Sequence, residues 1–260
     1  MKKYIVMFSS HLKGAMAYRA DTLLNAGLSF FFVLISYLLW KMLIPNGGTL
    51  NGFTLPAMVT YTMISTAIAP FTASNDAMFA YADEIRTGKF ARYLYTPVRP
   101  FGVFLSMSLA KALPQSALTV VCCVLWSLVF HDLMQPLSLP GLLTALPILL
   151  LMVVFVLLLN YLIATLAFKF TDILGVVFIR GTLVQFFSGA LAPLEVQFGG
   201  APLWSPFYYL VGYPAQLIMG RPVAIPLLAF AVLGGSTLVL LLISLTVARG
   251  SRRFFEGVGA

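Results

Sequence analysis

Charge is what this 260-residue sequence lacks most: Asp, Glu, Lys and Arg make up 9% of it, whereas apolar residues make up 60%. Soluble domains average ~25% charged and ~45–50% apolar residues. So little charge cannot cover a water-exposed surface of this size, which excludes a soluble enzyme. A disordered chain is excluded as well, because such chains are poor in apolar residues. Alternation is also missing. Strands of outer-membrane barrels alternate apolar and polar residues over ~10 positions, but the apolar runs here are long and unalternating. Cysteine is confined to Cys122 and Cys123, adjacent within an apolar run, which argues against a disulfide framework or a metal site. Motifs of catalysis are missing too. There is no G-x-x-x-x-G-K-[ST] phosphate loop, since the one Gly-Lys pair, Gly88-Lys89, is followed by Phe90. No H-E-x-x-H and no G-x-S-x-G occurs, and no pair of acids falls inside an apolar run. The sequence therefore predicts no catalytic residue and no metal ligand set.

What is present predicts an all-α, polytopic membrane protein. A span needs ~20 apolar residues to cross ~30 Å of hydrocarbon. Gaps between charges place six spans, at 22–44, 53–75, 112–131, 141–168, 173–193 and 223–248. Span 53–75 is the most polar, with Thr62, Ser65 and Thr66 among its hydroxyls and with Pro56 and Pro70. Segment 194–221 carries no Lys or Arg before Arg221, but it is broken by Pro202, Pro206 and Pro214 and by Gly199, Gly200 and Gly212. Its aromatics, including Trp204, Tyr208, Tyr209 and Tyr213, suit an interfacial belt. It reads as an outer re-entrant or interfacial hairpin, because broken backbone at membrane depth survives only when buried in protein or lining a cavity.

The net charge of +8 follows from topology rather than from nucleic-acid binding, since no basic run is interleaved with exposed aromatics. With six spans, fourteen of the sixteen Lys and Arg fall on one side, leaving only Lys41 and Arg221 on the other. The positive-inside rule then puts both termini in the cytoplasm. The N-terminus does not read as a cleavable signal, because Ser9, Ser10, His11 and Lys13 interrupt its apolar stretch. Residues 3–20 instead read as an amphipathic interfacial helix, with Ile5, Phe8, Leu12, Ala15 and Met16 at helical spacing. Cytoplasmic loop 76–100 holds the densest charge, and Met78–Tyr95 reads as one helix ending before Pro97. No acid lies at mid-span, where ion-driven carriers usually place one. Energy for transport would then come from outside the chain, with this loop as the place where a soluble motor docks.

Asp83-Glu84-Ile85-Arg86-Thr87-Gly88-Lys89, followed by Tyr93-Leu94 and Pro97-Val98-Arg99-Pro100, resembles the first cytoplasmic loop of ABC-2-type transporter permeases, roughly E-I-R-x-G … L-x-x-P-V-x-P. Tyr18-Arg19-Ala20-Asp21 is similar to the end of that family's amphipathic helix, and Pro193-Leu194 with Pro206-Phe207-Tyr208 to its outer segment. The resemblance implies the transmembrane subunit of a bacterial inner-membrane exporter. It implies a second permease, identical or homologous, and two ATP-binding subunits that hold ATP and Mg, this chain binding neither. It also implies a coupling helix around Glu84–Arg92, so that Asp83, Glu84, Ile85, Arg86, Gly88, Lys89 and Arg92 are the expected docking residues.

For the pathway, the residues point to Thr62, Ser65, Thr66 and Arg180. Arg180 lies ~10 Å into span 173–193 if that span is helical. It either snorkels to the inner interface or faces the interior, paired with Asp172 or with an anionic group. The remaining available faces are apolar and favour a hydrophobic or amphiphilic cargo. Lys111 reads as an interface anchor where a helix over 101–112 meets the third span. Two other readings stay open: a carrier or channel that needs no ATPase, and a membrane scaffold.

Overall fold

The computed structural model describes residues 2–17, 19–44, 47–72, 75–96, 98–170, 172–223 and 225–251. Tyr18 and Pro97, named above, and Arg252 and Arg253, counted among the fourteen basic residues, lie outside the described residues. The chain runs through α1 (Lys2–Ala17), α2 (Arg19–Leu43), α3 (Leu55–Thr72), α4 (Asp76–Arg86), α5 (Arg92–Tyr95) and α6 (Pro100–Val129). It continues with α7 (Leu139–Thr165), α8 (Leu174–Phe187), α9 (Leu194–Phe198), α10 (Gly212–Ile218) and α11 (Pro226–Ser251). Among the described residues there is no strand, only an isolated bridge between Leu50 and Phe53.

Among the described residues, four stretches are long and apolar enough to cross a bilayer: Leu23–Leu43, Pro100–Val129, Leu139–Phe168 and Pro226–Val247. They coincide with four of the six expected spans. Their outward faces stay apolar, with Leu28, Phe31, Leu128, Leu150 and Leu242 exposed, as helices facing lipid require. The third span differs from expectation in its start. There is no junction at Ala112, because α6 runs unbroken for 30 residues with Pro114 inside it.

The other two expected spans come out differently. Segment 53–75 contains α3, an 18-residue helix with most of its residues buried between α2, α6, α7 and α10. Its hydroxyls need no external partner, because Thr62 donates to the Met58 carbonyl and both Ser65 and Thr66 donate to the Thr62 carbonyl. A helix satisfied in this way can be polar and still sit inside an apolar bundle. Segment 173–193 does not stay helical to its end. α8 stops after 14 residues, about 21 Å, and Gly189 turns the chain at φ +78°. The Tyr61 hydroxyl donates to the Gly189 carbonyl at 2.6 Å, so this turn is fixed against α3.

Segment 194–221 forms no continuous helix. It is broken into α9, a 3-10 turn at Pro206–Tyr209 and α10, as its prolines and glycines dictate. Of the aromatics expected in an interfacial belt, Trp204 is 82% exposed, whereas Tyr208, Tyr209 and Tyr213 are fully buried. Their rings pack on one another at centroid distances of 5.1–5.9 Å, so these three form core rather than an interface. Ser138 and Gly141 anchor the start of α7 to this layer. The Ser138 amide donates to the Ile218 carbonyl at 2.8 Å, and Gly141 lies so close to the Leu217 carbonyl that an added Cβ would stand 1.9 Å from its oxygen.

Candidate functional site

Two places gather the polar side chains that matter: an elbow after α4 and a cavity beside α1. The elbow is the loop expected to couple. The single helix expected over Met78–Tyr95 is interrupted. α4 ends at Arg86, Gly88 takes the left-handed φ of +74°, a 3-10 turn covers Lys89–Ala91, and α5 follows. Gly88 is the glycine expected just past a helix end, where a side chain would be strained; its amide donates to the Ile85 carbonyl. The turn drives Phe90 into an aromatic pocket, 4.9 Å from Phe168, 5.7 Å from Tyr93 and 6.1 Å from Tyr81. Tyr81 in turn packs on Phe104 of α6 and Tyr161 of α7. Ile85 is buried in the same cluster.

The elbow's charges divide into two groups. Glu84, 14% exposed, pairs with Arg92 and accepts from the Tyr93 hydroxyl at 2.6 Å. Burial, reinforced by that carboxylate, pushes the Tyr93 phenol up to about 12. Arg92 also donates to the Tyr93 oxygen at 2.7 Å. Expected as docking charges, Glu84 and Arg92 are thus engaged with each other and hold α5 against α4. Asp83 and Lys89 are exposed and make no ion pair among the described residues. Arg86 is exposed too and lies 3.9 Å from Asp172.

Arg180 neither snorkels nor meets Asp172. It is 5% exposed, and donates to the Thr72 carbonyl at 2.6 Å and to Asn75 Oδ1 at 3.2 Å. Thr72 ends α3, so its carbonyl is one of those a helix leaves unsatisfied. The negative end of the helix dipole lies there as well. The guanidinium caps α3 and fixes the start of α4 beside it.

A cavity of about 880 Å³ opens between α1, α2, α3, α6 and the end of α8. Of the expected pathway residues, Ser65 and Thr66 line it; Thr62 and Arg180 do not. Sequence reasoning missed His11, Lys111, Gln115 and Gln185, which do line it. The signal was there for Lys111 and Gln115, which stand at i and i+4 on one helix face. α1 supplies the cavity's outer wall by packing along α6. The Tyr4 hydroxyl accepts from the Arg99 amide at 2.9 Å, and the Tyr4 ring covers Gly102. The apolar face expected for this helix is split. Phe8, Leu12 and Ala15 are half-buried, whereas Ile5 and Met16 are exposed. Burial lowers the His11 imidazole from its ordinary value; Glu84 opposes the shift, and Lys111 and Arg92 add to it.

A family model described as ABC-2 family transporter protein matches residues 30–259. The chain belongs to the ABC-2 transporter family. It is a multi-pass membrane permease, and the match begins inside α2 and covers every later helix through α11. No curated protein matches the permease. Membership fixes the class of the molecule, a transport component rather than a catalyst. The roles of the elbow and the cavity rest on their own chemistry.

Proposed function

We propose that this permease is the membrane subunit of an ATP-driven exporter of a hydrophobic or amphiphilic substrate. It pairs with a second permease, identical or homologous, and with two ATP-binding subunits that carry the ATP and Mg. It resides in a bacterial inner membrane with both termini in the cytoplasm. Loop 76–100 is the coupling element, and the cavity beside α1 is the inward end of the pathway.

The observation that carries this reading is the elbow. Its aromatic core ties it to α6 and α7, while Asp83 and Lys89 remain exposed and unpaired among the described residues. A rigid charged projection suits transmission of movement from a soluble partner, because opposite charges set register at an interface. Six crossings are counted with α3 as the second and with α8, continued by the α9–α10 hairpin, as the fifth. The fourteen-to-two division of basic residues supports this orientation.

The test is co-purification of an ATP-binding subunit with the full-length chain in mild detergent, followed by an ATPase assay. Asp83→Lys combined with Lys89→Glu is expected to reduce capture at least tenfold while leaving membrane insertion intact. Glu84→Lys is the wrong probe, since it also breaks the internal link to Arg92 and Tyr93. Capture unaffected by the double exchange would remove the coupling role from the elbow. A chain that transports when purified alone would replace the reading with an ATPase-independent carrier.

A further inference from the structure

We propose that the cavity beside α1 binds the anionic head group of an amphiphile, with Lys111 as the counter-charge. Lys111 lines the cavity, is half-buried, and forms no ion pair among the described residues. α6 continues 18 residues beyond it to Val129, about 27 Å, close to the thickness of a hydrocarbon core. The ammonium therefore sits at the depth where lipid head groups begin. An interface anchor would point outward into the head-group layer, whereas this one borders an internal space of about 880 Å³, within the ~300–1,000 Å³ typical of ligand sites.

The remaining lining fits the same ligand. Gln115 and Gln185 supply amide donors, and Leu28 and Phe32 of α2 supply an apolar wall for a chain. Asp76 is the one carboxylate among the lining residues, and it is exposed, so water screens its repulsion of an anion. The lining residue Asn75 accepts from Arg180 at 3.2 Å, which places a second cation directly behind the cavity wall. Lys111 thus faces the space against one exposed acid, with Arg180 behind the wall rather than in it. An acidic phospholipid and a carboxylate-bearing cargo share this chemistry, a single anion on an aliphatic chain. The inference rests on the transport reading only in calling the ligand cargo.

The experiment titrates the purified full-length chain, in a neutral sugar detergent, with dansyl-labelled undecanoic acid and with its methyl ester. The acid is expected to bind at least tenfold more tightly than the ester. Lys111→Gln should abolish that preference, Lys111→Arg should keep it, and Lys41→Gln, on the opposite face, should leave it unchanged. Competition by lysophosphatidylglycerol but not by lysophosphatidylcholine identifies a lipid head group as the occupant, whereas acid binding that neither displaces identifies a small acidic cargo. Equal binding of acid and ester overturns the proposal, as does a preference that survives Lys111→Gln or is lost in Lys41→Gln. Lys111→Gln should still capture the ATP-binding subunit, so failure here is distinct from failure of the coupling reading.

Discussion

Arg180 illustrates what a single buried side chain decides in this protein. Its two partners, the Thr72 carbonyl and Asn75 Oδ1, stand more than a hundred residues away in sequence, so no local pattern announces the pairing. The sequence suggests snorkelling or a partner in Asp172, because both are near in the chain. Asp172 instead donates its charge locally, accepting from the Leu174 amide and lying near Arg86. Arg180→Ala leaves the end of α3 without its cap and should cost about 1–3 kcal/mol, read as a lower thermal midpoint in detergent. Arg180→Lys keeps the charge but cannot fork to both oxygens, and should fall between the two. His11 carries the pH dependence of the α1 contact. Its imidazole titrates below its usual 6.5 in the folded chain, so the unfolded chain binds more protons between the two values. Stability therefore falls as pH drops through that window. His11→Gln should flatten the fall of the thermal midpoint as pH drops below the usual 6.5.

Among the elements, hydrophobic length located α2, α6, α7 and α11 because nothing competes with a long uninterrupted apolar run. It missed the end of α8, since no charge marks Ser188 and Gly189, and the turn there depends on Tyr61 reaching across from α3. It also missed the break in the coupling segment. The composition of Met78–Tyr95 suits one helix, but burial of Phe90 in the aromatic pocket and the left-handed Gly88 outweigh it. Of the α3 hydroxyls expected along a pathway, Ser65 and Thr66 line the cavity, and Thr62 is closed in by the bundle. The contact between α7 and α10 leaves no room for a side chain at Gly141. Gly141→Ala would place its Cβ 1.9 Å from the Leu217 oxygen. A backbone carbonyl cannot move aside as a side chain can, so the substitution should cost about 1–3 kcal/mol. Limited proteolysis should show it as new cleavage between residues 194 and 221.

At the scale of the molecule, the chain is a bundle whose outer helices meet lipid and whose hydroxyl-rich helix, α3, is largely buried. Orientation can be tested by labelling. In a variant with Cys122 and Cys123 replaced by Ala, a single cysteine introduced at Lys89 should react with an impermeant maleimide only in inside-out vesicles. One introduced at Lys41 should react only in right-side-out vesicles. Reaction of both from the same side would rule out an odd number of crossings between them. The two native cysteines are each half-buried within α6, which makes their replacement by Ala a mild change.

The cap on α3 also bears on how the protein is made. Thr72 leaves the ribosome 108 residues before Arg180, roughly 5–20 s earlier at ~5–20 residues per second. Throughout that interval α3 has hydroxyl-bearing faces, an uncapped end and no α8 beside it. It must wait next to α2, or within the insertion machinery, as a provisional passenger rather than a settled part of the bundle. The arrival of one arginine completes a helix synthesised long before, so the order of biogenesis is written into the distance between a carbonyl and its donor.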